Sequence, residues 1–131
     1  MYPALRLDAR MSSWIDETAT TVSAFADEHR SELDSAERAG NFPRDLYREL
    51  GRTGLLGSFV PKEFGGLGLG VAEYAVVSEE VGRHGVVSGQ IAAQGQRWLL
   101  DWGTQEQIDR WLAGMTSGEI VFSESPSRAA T

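Results

Sequence analysis

Seven of the fifteen glycines in this 131-residue chain fall between Gly51 and Gly70. Glycine makes up roughly 7% of an average protein, so such a cluster marks the place where regular structure stops. Helical patterns lie on both sides of it. Upstream, Ile15, Thr18, Val22, Phe25, His29 and Leu33 recur at steps of three and four, which predicts one amphipathic helix over about 13–36, opened by a capping-box pattern of Ser13 and Asp16. Gly40 and Asn41 break it. Pro43, a residue suited to a first helical position, then precedes Leu46, Tyr47 and Leu50 in a short second helix ending near Gly54.

Leu55, Leu56, Phe59 and Val60 form an apolar run ahead of Pro61 and read as an extended buried connector. Lys62 to Gly70 follows as a glycine loop. It fails the phosphate-binding fingerprints: counted from Gly66, the last position of G-x-G-x-x-G is Val71, and no G-K-[ST] follows. A tight turn that lets two helices and a connector meet accounts for it, with direct ligand binding the lesser alternative. Downstream, Val71–Gly82 is expected to be a largely buried helix, and Val86–Trp102 a mostly apolar one. The second contains Gly89 and Gly95, each costing about 1 kcal/mol relative to alanine, so something is expected to pack close there. Thr104 and Gln107 make a capping box for a helix that stops before Gly118. Ile120, Val121 and Phe122 then look like the start of a β-strand. A strand of a sheet needs partners for its backbone groups. The fold class is thus all-α: a bundle of about five helices over residues 1–118, with a C-terminal strand and loop over 119–131 that need a sheet from elsewhere, which the resemblance described below implies is a missing β-barrel.

A net charge of −7 opposes nucleic acid and anionic membrane surfaces, and the longest basic cluster, Arg44, Arg48 and Arg52, is interleaved with Asp45 and Glu49. Without cysteine there are no disulfides, thiolate metal sites or thiol nucleophiles. The first ten residues fit neither a secretory signal nor a membrane anchor, so a cytoplasmic location is expected. No H-E-x-x-H or calcium-loop pattern supports a metal site. His29 reads as a packed, hydrogen-bonded core residue, and His84 as the i,i+4 partner of Glu80 at a helix end. Gln90 and Gln94 share one side of an apolar helix. They either satisfy buried backbone groups or line a ligand cavity. The four tryptophans, at 14, 98, 102 and 111, read as core or interface anchors, and exposed apolar area around Trp98, Trp102 and the strand predicts self-association or a partner.

Several ordered motifs carry a family resemblance: FPRDLYRELG at 42–51, GLLG at 54–57, VPKEFGGLGL at 60–69, EEVGR at 79–83, and WGTQEQ at 102–107 with Trp111-Leu112 and Ser117-Gly118-Glu119. Together they closely resemble the N-terminal helical domain of flavin-dependent acyl-CoA dehydrogenases, over roughly residues 12–125. Ala93-Gln94-Gly95 is similar to the secondary-metabolism branch that acts on carrier-bound acyl groups.

The resemblance implies a three-part enzyme of N-terminal helices, middle β-barrel and C-terminal helical bundle, with FAD as cofactor. In that family a glutamate from the C-terminal bundle takes the α-proton and the flavin accepts the β-hydride, so no catalytic residue is carried over to this sequence. Aligning Glu124 with the glutamate of the family's Thr-Glu-Pro-Gly-x-Gly signature puts Ser123 at the flavin-binding hydroxyl and Phe122 at the backbone contact. Ser125 stands where the family has proline, the Gly-x-Gly is absent and Arg128 intrudes. Gln90 and Gln94 lie on the helix that lines the family's acyl cavity. The implied function is the N-terminal component of a split acyl-CoA or acyl-carrier-protein dehydrogenase, working with a partner chain that carries the barrel and C-terminal helical domain. The alternatives are a non-catalytic helical interaction module and a component of a related flavin monooxygenase.

Overall fold

The computed structural model describes residues 8–86 and 90–123, excepting the side chains of residues 90–92. Six α-helices are formed among them: α1 (Ala9–Glu28), α2 (Arg30–Ala39), α3 (Arg44–Arg52), α4 (Val71–Arg83), α5 (Gln90–Trp102) and α6 (Gln105–Ser117). α1 packs chiefly on α4, and α5 on α6.

The single long helix expected over 13–36 is two. α1 begins earlier, where the Asp8 carboxylate accepts the Met11 N–H at 2.8 Å, while Ser13 donates instead to Glu17. At His29 the backbone leaves helical geometry (φ −107°, ψ 14°) and α2 sets off from it. Heptad-like spacing survives such a break because both helices turn their apolar faces to the same core, with Val22, Phe25 and Leu33 all buried. α2 ends on Gly40 in the left-handed region (φ 65°), a conformation that favours glycine.

The connector is not extended. Gly54 takes φ 83° and turns Leu55–Gly57 into a 3-10 turn that lies against α3 and α6. Leu55 and Leu56 become core residues beside Leu46, Leu50, Val77 and Val81. The glycine loop is structural: its N–H groups at Leu67, Gly68 and Leu69 donate to the carbonyls of Gly57, Val60 and Ser58. A side chain at Gly66 would collide with the Val60 backbone, so glycine is required by the close approach.

α4 is amphipathic rather than largely buried, with Val71 78% exposed while Glu73 and Glu80 are buried. Both carboxylates are engaged, which is what makes their burial tolerable. Glu73 accepts the Gly70 N–H at 3.0 Å and pairs with Arg10 at 2.6 Å; Glu80 faces Arg83 at 3.2 Å and His84 at 3.7 Å. α6 starts on the expected box, Thr104 N–H to Gln107 Oε1 at 2.9 Å and Gln107 N–H to Thr104 Oγ1 at 3.3 Å, and closes on Gly118 at φ 80°.

The strand expected from Ile120 is not formed: Val121–Ser123 are neither helix nor strand. A strand is defined by a hydrogen-bonded neighbour, and the described residues provide no sheet for it to join. Instead Ile120 donates to the Gly114 carbonyl at 2.9 Å and lays its side chain over that glycine. Residues 124–131, with the rest of the strand signature, lie outside the described residues.

Candidate functional site

Helix α5 separates two open cavities. One, of about 490 Å³, lies between α5, the start of α4 and Phe59; Gln94, Arg97, Trp98 and Tyr74 are among its walls. The other, of about 700 Å³, lies between α5, α6 and the segment 120–123; Trp98, Trp102, Trp111, Met115, Phe122 and Ser123 line it. Trp98 borders both. Its position follows from helical spacing: 94, 97 and 98 fall on one side of α5, and 95, 98, 99 and 102 on the adjoining side.

Gln94 is exposed on the wall of the first cavity. Gln90 is the first residue of α5, four residues before it, and its side chain lies outside the described residues. The second cavity contains the other expected pair. Phe122 meets Trp98 edge to face, with ring centroids 5.7 Å apart at 87°, and covers Gly95. Phe122 and the end of Met115 occupy the space a Gly95 side chain would need, which explains a glycine in mid-helix. Gly89 is outside the described residues. Ser123 is exposed at the cavity rim. Sequence spacing does not reveal that α5 places the two groups of residues on opposite sides of one indole.

Three further residues emerge only in three dimensions. Gln107, read as a cap, also borders the larger cavity. Gln96 is fully buried, and neither its oxygen nor its nitrogen has a hydrogen-bond partner among the described residues. Tyr47 is 2% exposed; burial, reinforced by the neighbouring Tyr74, pushes its phenol up to about 12.

The histidines stay structural. His29 packs its ring 4.7 Å from Phe25 at the α1–α2 break, as a core histidine should, but its buried Nδ1 has no hydrogen-bond partner among the described residues. His84 caps α4 beside Glu80, as expected from their spacing. No group of three or more metal-ligating side chains occurs among the described residues, and none of the described helices is long and apolar enough to cross a membrane.

Two open cavities thus border one helix, and three tryptophans are 40% to 77% exposed. The chain belongs to the acyl-CoA dehydrogenase N-terminal domain family, whose model matches residues 15–119. It is 35% identical over 108 residues to mitochondrial isovaleryl-CoA dehydrogenase of Solanum tuberosum, covering 77% of this chain and 26% of that protein. It is 36% identical over 89 residues to (2S)-methylsuccinyl-CoA dehydrogenase of Cereibacter sphaeroides, covering 63% of this chain and 16% of that protein. Among solved structures, the Tcur3481-Tcur3483 steroid ACAD superposes with a TM-score of 0.68 at 31% identity, over 91% of this chain and 32% of that one. The chain therefore spans about a quarter or less of these curated relatives' length.

Proposed function

We propose that this domain supplies one helical wall of the substrate site of a flavin-dependent acyl thioester dehydrogenase, in complex with a partner chain bearing the β-barrel and C-terminal helices. The observation that carries the reading is the arrangement along α5: Gln94 faces one cavity, Phe122 and Ser123 face the other, and Trp98 stands between them. The first cavity is the acyl wall, with Gln94 as its polar position; Gln90, expected beside it from the sequence spacing, is the first residue of α5 and its side chain lies outside the described residues. The thioester comes from coenzyme A or an acyl carrier protein. The steroid ACAD carries a double designation, Tcur3481-Tcur3483, which supports a two-chain assembly for its relative here.

The residues present suit a flavin. Phe122 is anchored through its ring, so its main chain is held at the cavity edge outside any helix or sheet, and Ser123 adds an exposed hydroxyl beside it. A main-chain group and a hydroxyl are the donor set that the polar edge of an isoalloxazine accepts. FAD, when bound, supplies the acceptor for the β-hydride. The proton acceptor for the α-carbon comes from the partner. This chain's own contribution is to position the acyl group and exclude water from it.

The test is reconstitution. Co-expression with a chain carrying the barrel and C-terminal helices is expected to give a yellow complex that oxidises acyl thioesters. A mixture that neither co-purifies nor takes up flavin overturns the proposal. The exposed tryptophan face also suits a non-catalytic interaction module; a tight but colourless and inactive complex would establish that reading instead.

A further inference from the structure

We infer that the acyl group selected by the cavity between α4 and α5 is uncharged and bears a hydrogen-bonding oxygen, a hydroxyl or carbonyl, read by the Gln94 amide. This rests on that cavity being the acyl wall proposed above.

Most of the wall is apolar, including Phe59, Leu69, Val71 and Trp98. Five groups on it have polar atoms to offer, the Trp98 indole N–H among them, and three of the five are already paired or turned away. The Gly70 N–H donates to Glu73 Oε2 at 3.0 Å. The Tyr74 ring lines the cavity, yet its hydroxyl is buried out of contact with it. Arg97 is held in a two-point ion pair, Nε to Asp101 Oδ2 and a terminal nitrogen to Oδ1, both at 2.7 Å. That pair has no net charge and occupies one of the two edges through which a guanidinium clasps a carboxylate, the side-on one formed by Nε and a terminal nitrogen.

Two remain: the Trp98 indole N–H, which can only donate, and Gln94, which is exposed on the wall and can do both. An amide both donates and accepts, so it matches a hydroxyl or a carbonyl equally well. A plain alkyl chain would strip water from the amide and return nothing, and sites built around a hydrogen bond discriminate against ligands that lack it. A carboxylate would lose its own hydration without gaining an unpaired cation, and would do so in the field of a chain with net charge −7.

The experiment is a titration of the ¹⁵N-labelled full chain with three pantetheine thioesters of equal carbon count: butyryl, ω-hydroxybutyryl and succinyl. The Gln94 side-chain amide and Trp98 indole signals are followed. The ω-hydroxybutyryl probe is expected to bind about three- to tenfold tighter than butyryl, with succinyl weakest. Gln94→Leu is expected to put butyryl first. Asp101→Asn, which releases Arg97, is expected to raise succinyl affinity about tenfold. Shifts at Gln94 and Trp98 with butyryl or succinyl equal to or ahead of the hydroxyl probe would overturn the inference and leave the acyl wall standing. No shift with any probe would overturn the acyl wall, and the inference with it.

Discussion

Trp14 and Trp102 carry the same side chain into opposite situations. Trp14 lies against the core packed between α1 and α4, its indole N–H donating to the Glu73 carbonyl at 3.0 Å. Trp102 is 77% exposed at the end of α5, with Trp98 and Trp111 also outward. The core that Trp14 leans on is closed: Val22, Leu50 and Tyr47 are at or below 2% exposure. Around Trp102 the molecule is open, and aromatic area faces a cavity. The first region holds the buried core, and the second is the one proposed above for recognition. An indole contributes to folding only where its surroundings remove it from water and satisfy its N–H.

The contrast is broken or sharpened by measurements of graded size. Leu50→Ala empties a site in the closed region and is expected to cost about 2–5 kcal/mol, read from urea unfolding. Raising the pH is next. With Tyr47 protonated up to about 12 in the folded chain against 10.0 ordinarily, the unfolded state releases its proton first. Stability is therefore intact below pH 10 and falls between about 10 and 12, by about 2–3 kcal/mol in total. Tyr47→Phe should flatten that slope; an unchanged slope would reject Tyr47 as its source.

Gly95→Ala sits on the boundary between the regions. Its added methyl would meet Phe122 and Met115, so a loss of about 1–3 kcal/mol is expected, together with a change in Trp98 fluorescence as Phe122 is displaced. Gln96→Leu replaces a fully buried amide that has no hydrogen-bond partner among the described residues and is expected to raise stability by about 1 kcal/mol. Trp102→Ala is the smallest, within about 0.5 kcal/mol for the chain alone, and its effect should appear in partner binding. A folding loss for Trp102→Ala as large as that for Leu50→Ala would erase the distinction between the two regions.

The helices were legible where a local rule acts alone. Thr104 and Gln107 satisfy each other's backbone groups three residues apart, so the start of α6 could be read directly from the sequence. The break at His29 was not legible, because α1 and α2 share one apolar face and periodicity records the face rather than the axis. The strand at Ile120–Phe122 failed for a related reason. A run of β-branched and aromatic residues states a preference, but a strand exists only with a neighbour, and here the segment settles onto Gly114, Gly95 and Trp98. Gln94 was visible as a polar residue on an apolar helix. Gln96, two positions on, is the one sealed in the core, and nothing in residue type separates the two.

The amino-acid sequence by itself determined the helical class, the glycine turn and the family, because each depends on residues within a few positions of one another or on motifs in fixed order. Tertiary packing decided which glutamines face a cavity, which tryptophans stay in water, and that one indole would border two sites. Those outcomes depend on how α4, α5 and α6 are set against each other, and a rotation of α5 by one residue, about 100°, would exchange Gln94 for its neighbours.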